Sequence, residues 1–382
     1  MIFFLYFVPV TLFISVVVAS GDKEIPSHTK CMTTFMSYKS SPFEEKWEKN
    51  VNDWQLKVCE HITNDEMAWW IGNVTTLLNN NDLSSIVTPT AKVPDASWSY
   101  VMSVYTYKRQ CVHKTDGSII EDYVHVPIEP TAALARDPRK VCAYYFCFSI
   151  CKFYNFYIFY SKYLQCWSPN TEEYTQSKAY LLPLSYNGAE VSAMKSYNPH
   201  KTAAEQGSKI YLFDAGATVA GQRRTGSTNN WSGTEWIFDW YEKRGIVFDE
   251  VHAWEPTKQT VNPDNLKPAL AKALHFNNVG ITAGINDQHN PLAVIRSLCK
   301  PKDIVIFKLD IDNDMEMEVV KQLLNDVNLM NLVDEFYFEH HVHNDVMKMH
   351  GLGGNDPRIN LKTWYDMAQP ARRKGFRMHF WP

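Results

Sequence analysis

From about residue 205 to its end, this chain alternates short β-prone apolar runs with stretches of helical periodicity, and that alternation constrains its fold more than any other feature. A strand over 209–214 opens the series in "KIYLFDAGATVAG", and a long polar loop leads to a helix over 234–244. A strand over 246–254, a helix near 266–275, a weak strand around 279–283 and a helix over 291–299 follow. The run "DIVIFKLDI" (303–311) is the clearest strand. Beyond it come a helix over 315–329 with Met317, Val320, Leu324 and Val327 on one stripe, a strand over 333–342, a helix over 360–373 and a strand over 376–381. Strands separated by helices, and apolar along their length, predict a doubly wound, mostly parallel sheet buried on both faces.

Such sheets bind ligands outside the carboxyl ends of their strands. Four of the expected strands end in acids: Asp214, Glu255, Asp310 with Asp312, and Glu339, which His340 and His341 follow. One acid at a strand end is often a turn residue. Four at equivalent ends of one sheet repel one another unless a ligand or cations share the crevice. In the opening run, Gly216 and Gly221 follow Asp214 as D-x-G-x-x-x-x-G, which is not the tight G-x-G-x-x-G of dinucleotide folds. His341 lies two residues after Glu339, so on a strand it shares that residue's face, whereas His340 points away.

The preceding 21–200 region reads as α+β. Helices are expected over 43–60, where Trp47, Val51, Trp54 and Val58 form one face, and over 64–80, where Asn64, Asp65 and Glu66 supply a cap and first-turn acids. A hairpin over 98–127 turns at Asp116-Gly117. Trp69, Trp70 and Trp98 read as core residues, and no spacing in this region is catalytic. Residues 2–19 are uncharged and mostly apolar, and Val18-Ala19-Ser20 precedes Gly21, so residues 1–20 are expected to be a cleaved signal peptide or a membrane anchor. Either puts the chain in the secretory route, lumenal, secreted or membrane-anchored, and the sequons Asn73-Val74-Thr75 and Asn230-Trp231-Ser232 are compatible with that route.

Residues 141–165 stand apart: 11 of these 25 residues are Phe or Tyr, and none is Gly, Pro, Asp or Glu. Lys152, Asn155 and Lys162 interrupt the run without forming a polar stripe, which counts against a membrane helix. A second reading is a translated intron, since valine codons begin with GT, glutamine can be CAG, and the interior residues use A/T-rich codons; removal of the segment keeps the frame. A hydrophobic helix and a genuine buried segment stand beside it. The eight cysteines include no C-x-x-C pair, so a zinc ribbon is not expected, although some can pair in an oxidising compartment. A net charge of −4 with no long basic run argues against a nucleic-acid partner.

"YLFDAGATVAG", "HAWEP", "IFKLDID" and "FYFEHH" together resemble the strand ends of class I S-adenosylmethionine-dependent methyltransferases of the FkbM type, over residues 205–382. The resemblance implies a Rossmann-like, doubly wound sheet, S-adenosylmethionine as cofactor, and O-methyl transfer to a small-molecule or glycan acceptor. It implies that Asp214 and Gly216 line the methionine end of the cofactor, that Glu255 accepts hydrogen bonds from the ribose, and that Asn286 or Asp287 meets the adenine. Asp310 and Glu339 would face the acceptor and converge with Asp214; His341 would be the base, with Glu339 or Asp310 as its orienter. The chain departs from the family's pattern in its first turn, which is one residue longer, and in the 41 residues between Asp214 and Glu255, where about 20 are usual. Two other functions remain open. One is a metal-dependent lumenal enzyme using Asp310, Asp312, Glu339, His341 and His343. The other is a non-catalytic binding module on the same fold.

Overall fold

A computed structural model describes residues 29–54, 103–113, 116–130, 208–219, 233–242, 246–311, 313, 315–341, 356 and 358–381. The expected leader over 1–20, the helix over 64–80, the 141–165 segment, both sequons, Asp312 and His343 lie outside the described residues. Among the described residues no helix is long and apolar enough to cross a membrane.

The fold is mixed α/β, with a six-stranded, all-parallel sheet flanked by helices and a separate three-stranded antiparallel sheet. The antiparallel sheet consists of β1 (Thr29–Lys39), β2 (Ser103–His113) and β3 (Ile119–Ile128), with helix α1 (Pro42–Trp54) between the first two. The expected hairpin is present as β2 and β3, and Gly117 takes φ +69° beside Asp116, whose carboxylate accepts from the Ser118 amide. Strand β1 was not expected; its Thr- and Met-rich sequence pairs along β2 with an irregularity between Phe35 and Ser37. Cys111, opposite Cys31 in this pairing, is disulfide-bonded.

The parallel sheet is built from β4 (Ile210–Ala215), β5 (Glu250–Trp254), β6 (Leu274–Asn277), β7 (Ile304–Leu309), β8 (Glu335–Phe338) and β9 (Arg377–Phe380). They lie side by side in the order β6-β5-β4-β7-β8-β9, so the strand order reverses between β4 and β7. Helices α2 (Gly233–Glu242), α3 (Pro268–Ala273), α4 (Pro291–Leu298), α5 (Met315–Asn325), α6 (Val327–Leu332) and α7 (Leu361–Arg373) connect them. All six residues of β7 are buried, as a central strand covered on both faces requires. Burial of Phe213 on β4 and Phe307 on β7 contributes about 1.5–3 kcal/mol each. Sharp starts follow from side-chain caps: Asn290 accepts from the Leu292 amide, Asp326 from Asn328 and Leu329, and Asn360 forms a capping box with Thr363.

Two expectations are corrected. The third strand is β6 at 274–277, directly after α3, and not 279–283. The expected helix over 315–329 is two helices divided at Asp326, and its buried face is Glu316, Val319, Val320 and Leu323; Val327 is exposed.

The antiparallel sheet closes the β9 side of the parallel sheet. The Tyr105 hydroxyl donates to the Phe376 carbonyl at 2.9 Å, and the Phe35 ring sits where a side chain on Gly375 would go. A buried polar network crosses the same boundary. Arg372 of α7 donates to the Glu129 carbonyl and lies 3.6 Å from Glu44, whose carboxylate accepts from the hydroxyls of Tyr38 and Ser103. His379 bridges Glu129 at 2.7 Å and Glu335 at 3.3 Å, and Arg377 donates to Glu335 at 3.0 Å. Burial alone would raise the Glu335 carboxyl, but the His379 hydrogen bond and the Arg377 and His379 charges pull it down to about 2.

Candidate active site

The carboxyl ends of β4, β7 and β8 gather the acids that the sequence places there, and a lysine that sequence reasoning missed holds them together. Asp214 and Lys308 are register partners on adjacent strands, so both side chains lie on one face. Lys308 Nζ is fully buried, 2.9 Å from Asp214 Oδ1, 3.1 Å from the Gly216 carbonyl and 3.2 Å from Asp310 Oδ2. Burial lowers a lysine's pKa, but here the two carboxylates outweigh it and hold Lys308 above its ordinary value. The other Asp214 oxygen accepts from Thr234 Oγ1 at 2.6 Å, at the start of α2. Asp214 is therefore an internal anchor with no exposed surface.

Gly216 has φ +81°, and a Cβ there would fall 1.4 Å from the Asp310 carbonyl oxygen. The close approach that this glycine permits is to the main chain at the end of β7, which the Asp310 amide reinforces by donating to Ala215. The same turn grips β5: the Gly216 and Ala217 amides both donate to the Trp254 carbonyl. Gln259, another residue missed from sequence, clamps the loop by accepting from Val219 and donating to the Ala217 carbonyl. Glu255 is thereby fixed one residue beyond the turn's anchor, partly exposed, with Oε1 accepting from the Thr257 amide.

Asp310 is the most open acid of the cluster, its side chain 23% exposed. Trp381 Nε1 donates to it at 3.0 Å, and the same indole faces Lys308 at 5.4 Å. Glu339 hydrogen-bonds to Asp310, and His341 Nε2 lies 3.6 Å from Glu339 and 4.0 Å from Glu316. Asp214, Asp310, Glu339 and His341 thus form one chain of contacts through Lys308. Burial, reinforced by the Asp310 charge, pushes the Glu339 carboxyl above its ordinary value. Burial likewise pushes Glu316 up to about 8, and its Oε1 accepts from the Ile311 amide at 2.6 Å. The sequence signal for Lys308 is its i, i+2 relation to Asp310 inside an otherwise apolar strand, since a buried lysine requires carboxylate partners. Glu316 carried no such signal.

The remaining expected residues are not part of this chain of contacts. His340 points away from the cluster: it is buried against Phe338 and Trp364, hydrogen-bonds to Thr363 Oγ1 at 2.9 Å, and burial pushes it down to about 4. Asp287 is ten residues beyond the end of β6, where its carboxylate accepts from the His289 amide in a local turn; Asn286 is exposed beside it. No family model, no curated protein and no solved structure significantly matches this chain.

Proposed function

We propose that the chain is an S-adenosylmethionine-dependent methyltransferase acting on an oxygen acceptor in the secretory route, on a Rossmann-like, doubly wound fold. The observation that carries this reading is the meeting of the Gly216 turn, Glu255 and the Asp310–Glu339–His341 cluster at the carboxyl ends of the strands where the order reverses, the place where doubly wound sheets take ligands. The residues fit an adenosyl cofactor in part. Glu255, a partly exposed carboxylate at the end of β5, suits ribose hydroxyls. Asp214 fits the methionine end poorly, because it has no exposed surface and Lys308 and Thr234 each bond one of its oxygens.

The cofactor, when bound, supplies an electrophilic methyl group. The chain's own residues then position the acceptor and move its proton. Asp310, held by Lys308 and Trp381 at the open side, faces the acceptor. His341 takes the hydroxyl proton at Nδ1, since Glu339 lies against Nε2 and orients the ring from there. The disulfide at Cys111 supports the secretory setting.

One observation favours a second reading, a metal-dependent enzyme: ligand atoms of Asp310, Glu339 and His341 all lie within 4.8 Å of one another. Two carboxylates and an imidazole suit a divalent cation. Calorimetric titration of the full chain with S-adenosylmethionine in EDTA separates the readings. Saturable binding that weakens roughly 10- to 100-fold in Glu255→Ala supports the methyltransferase, the loss expected for hydrogen bonds to a charged acceptor. Absence of binding to the wild-type chain overturns it.

A further inference from the structure

At the opposite end of the parallel sheet, Glu250, His252 and His275 form a cluster that the reactions above do not use. Glu250 and His252 are two residues apart on β5 and share a face. His275 stands directly opposite His252 in the parallel pairing of β5 with β6. The two imidazoles stack with centroids 4.8 Å apart and planes 14° apart, and Phe213 stacks on the inner side of His252 at 5.2 Å, which fixes that ring. Lys209 Nζ holds Glu250 Oε1 at 2.6 Å, turning Oε2 toward the histidines. That oxygen lies 3.1 Å from His252 Nε2 and 3.9 Å from His275 Nε2, and all three ligand atoms fall within 4.8 Å of one another.

We propose that Glu250, His252 and His275 form a binding site for a borderline divalent transition-metal ion of the zinc type, with solvent completing its coordination. Ligand bonds of about 2.0–2.2 Å at tetrahedral angles place neighbouring donor atoms about 3.4 Å apart, and the two separations from Glu250 bracket that value; the exposed His275 ring turns out of its stack on His252 to aim its in-plane lone pair at the ion. Two imidazoles and one carboxylate, with a fourth position open, are a recurrent zinc donor set. His275, 57% exposed on the edge strand, gives the ion access from solvent, while His252 and Glu250 are held from below. Glu250 and His252 lie five and three residues before Glu255, so at about 3.3 Å per residue the ion sits roughly 10–16 Å from the proposed cofactor crevice. Bound there, it ties edge strand β6 to β5 and stabilises the folded chain by mass action.

Titration of the full chain with zinc chloride by calorimetry, with thermal unfolding alongside, tests the site. The expected result is one equivalent bound and a raised unfolding temperature. Both effects fall at least tenfold in apparent affinity in His275→Ala and in Glu250→Gln, and persist in His341→Ala. His275 is exposed at a sheet edge, so its removal leaves the fold intact, and unchanged circular dichroism checks this. No zinc binding by the wild-type chain, binding unchanged in His275→Ala, or an equal loss in His341→Ala overturns the assignment. None of these outcomes depends on whether the crevice binds S-adenosylmethionine.

Discussion

Replacing Lys308 by Met keeps most of the side chain's volume and removes its charge, which isolates what that cation contributes. In the native fold the ammonium is fully buried and within 3.2 Å of three oxygens, on Asp214, Gly216 and Asp310. After substitution Asp214 stays buried as a carboxylate with Thr234 as its remaining side-chain donor. Breaking a buried ion pair from one side costs about 3–5 kcal/mol, because the surviving charge is left without compensation. Methionine fills the space of the lysine stem, so packing loss adds little. Urea unfolding of wild type and Lys308→Met should therefore differ by about 3–5 kcal/mol at similar slope. Adding Asp214→Asn to Lys308→Met removes the stranded charge and should recover about 1–3 kcal/mol relative to additive behaviour. A loss below about 1 kcal/mol in the single variant, or strict additivity in the double, refutes the argument that this pair organises the site.

Gly216→Ala should destabilise by more than about 3 kcal/mol, since φ +81° is unfavourable for alanine and its Cβ would overlap the Asp310 carbonyl; an unfolding midpoint near wild type contradicts this. His341→Ala should lower methyl transfer by roughly 10²–10⁴ while S-adenosylmethionine affinity, read by calorimetry, stays near wild type. The Glu335 carboxyl is held at about 2 in the folded chain against 4.5 unfolded, so its contribution is complete above pH 4.5 and is lost as pH falls toward 2. Acid unfolding of Glu335→Gln should lack that part of the wild-type slope, and an identical slope counts against the assignment.

The parts of the fold legible from sequence were those where burial leaves a one-letter trace. Strand β7 is apolar except for Lys308 because helices cover both its faces, and β4 is apolar except for Asp214 near its end. Edge strand β6 has no such trace: "LHFN" follows Ala273 without a breaker and reads as the last turn of a helix, whereas "VGITA" just beyond looks more β-prone. The stripe on α5 was misread because a buried carboxylate, Glu316, occupies one of its inward positions. The acids at the strand ends were visible because parallel topology alone brings them together. What joins them was not, since Lys308 reaches Asp214, and Trp381 reaches Asp310, only through strands far apart in sequence. The use of Asp214 as an anchor likewise depends on a cross-strand partner that local spacing does not reveal.

The buried charges between α7, β9 and the antiparallel sheet bear on how this protein can be divided. Besides the Met378 carbonyl, Arg372 finds its partners on Glu129, Glu44 and Tyr38, and His379 finds one of its two on Glu129, residues that all precede 131. A fragment beginning near residue 205 would keep the six parallel strands, yet it would strip a guanidinium and an imidazole of carboxylate neighbours and bare the surface that Tyr105 and Phe35 cover. Excision at the compositional boundary near 205 therefore cuts through a shared interior, and the half that carries the parallel sheet inherits the stability of the whole chain.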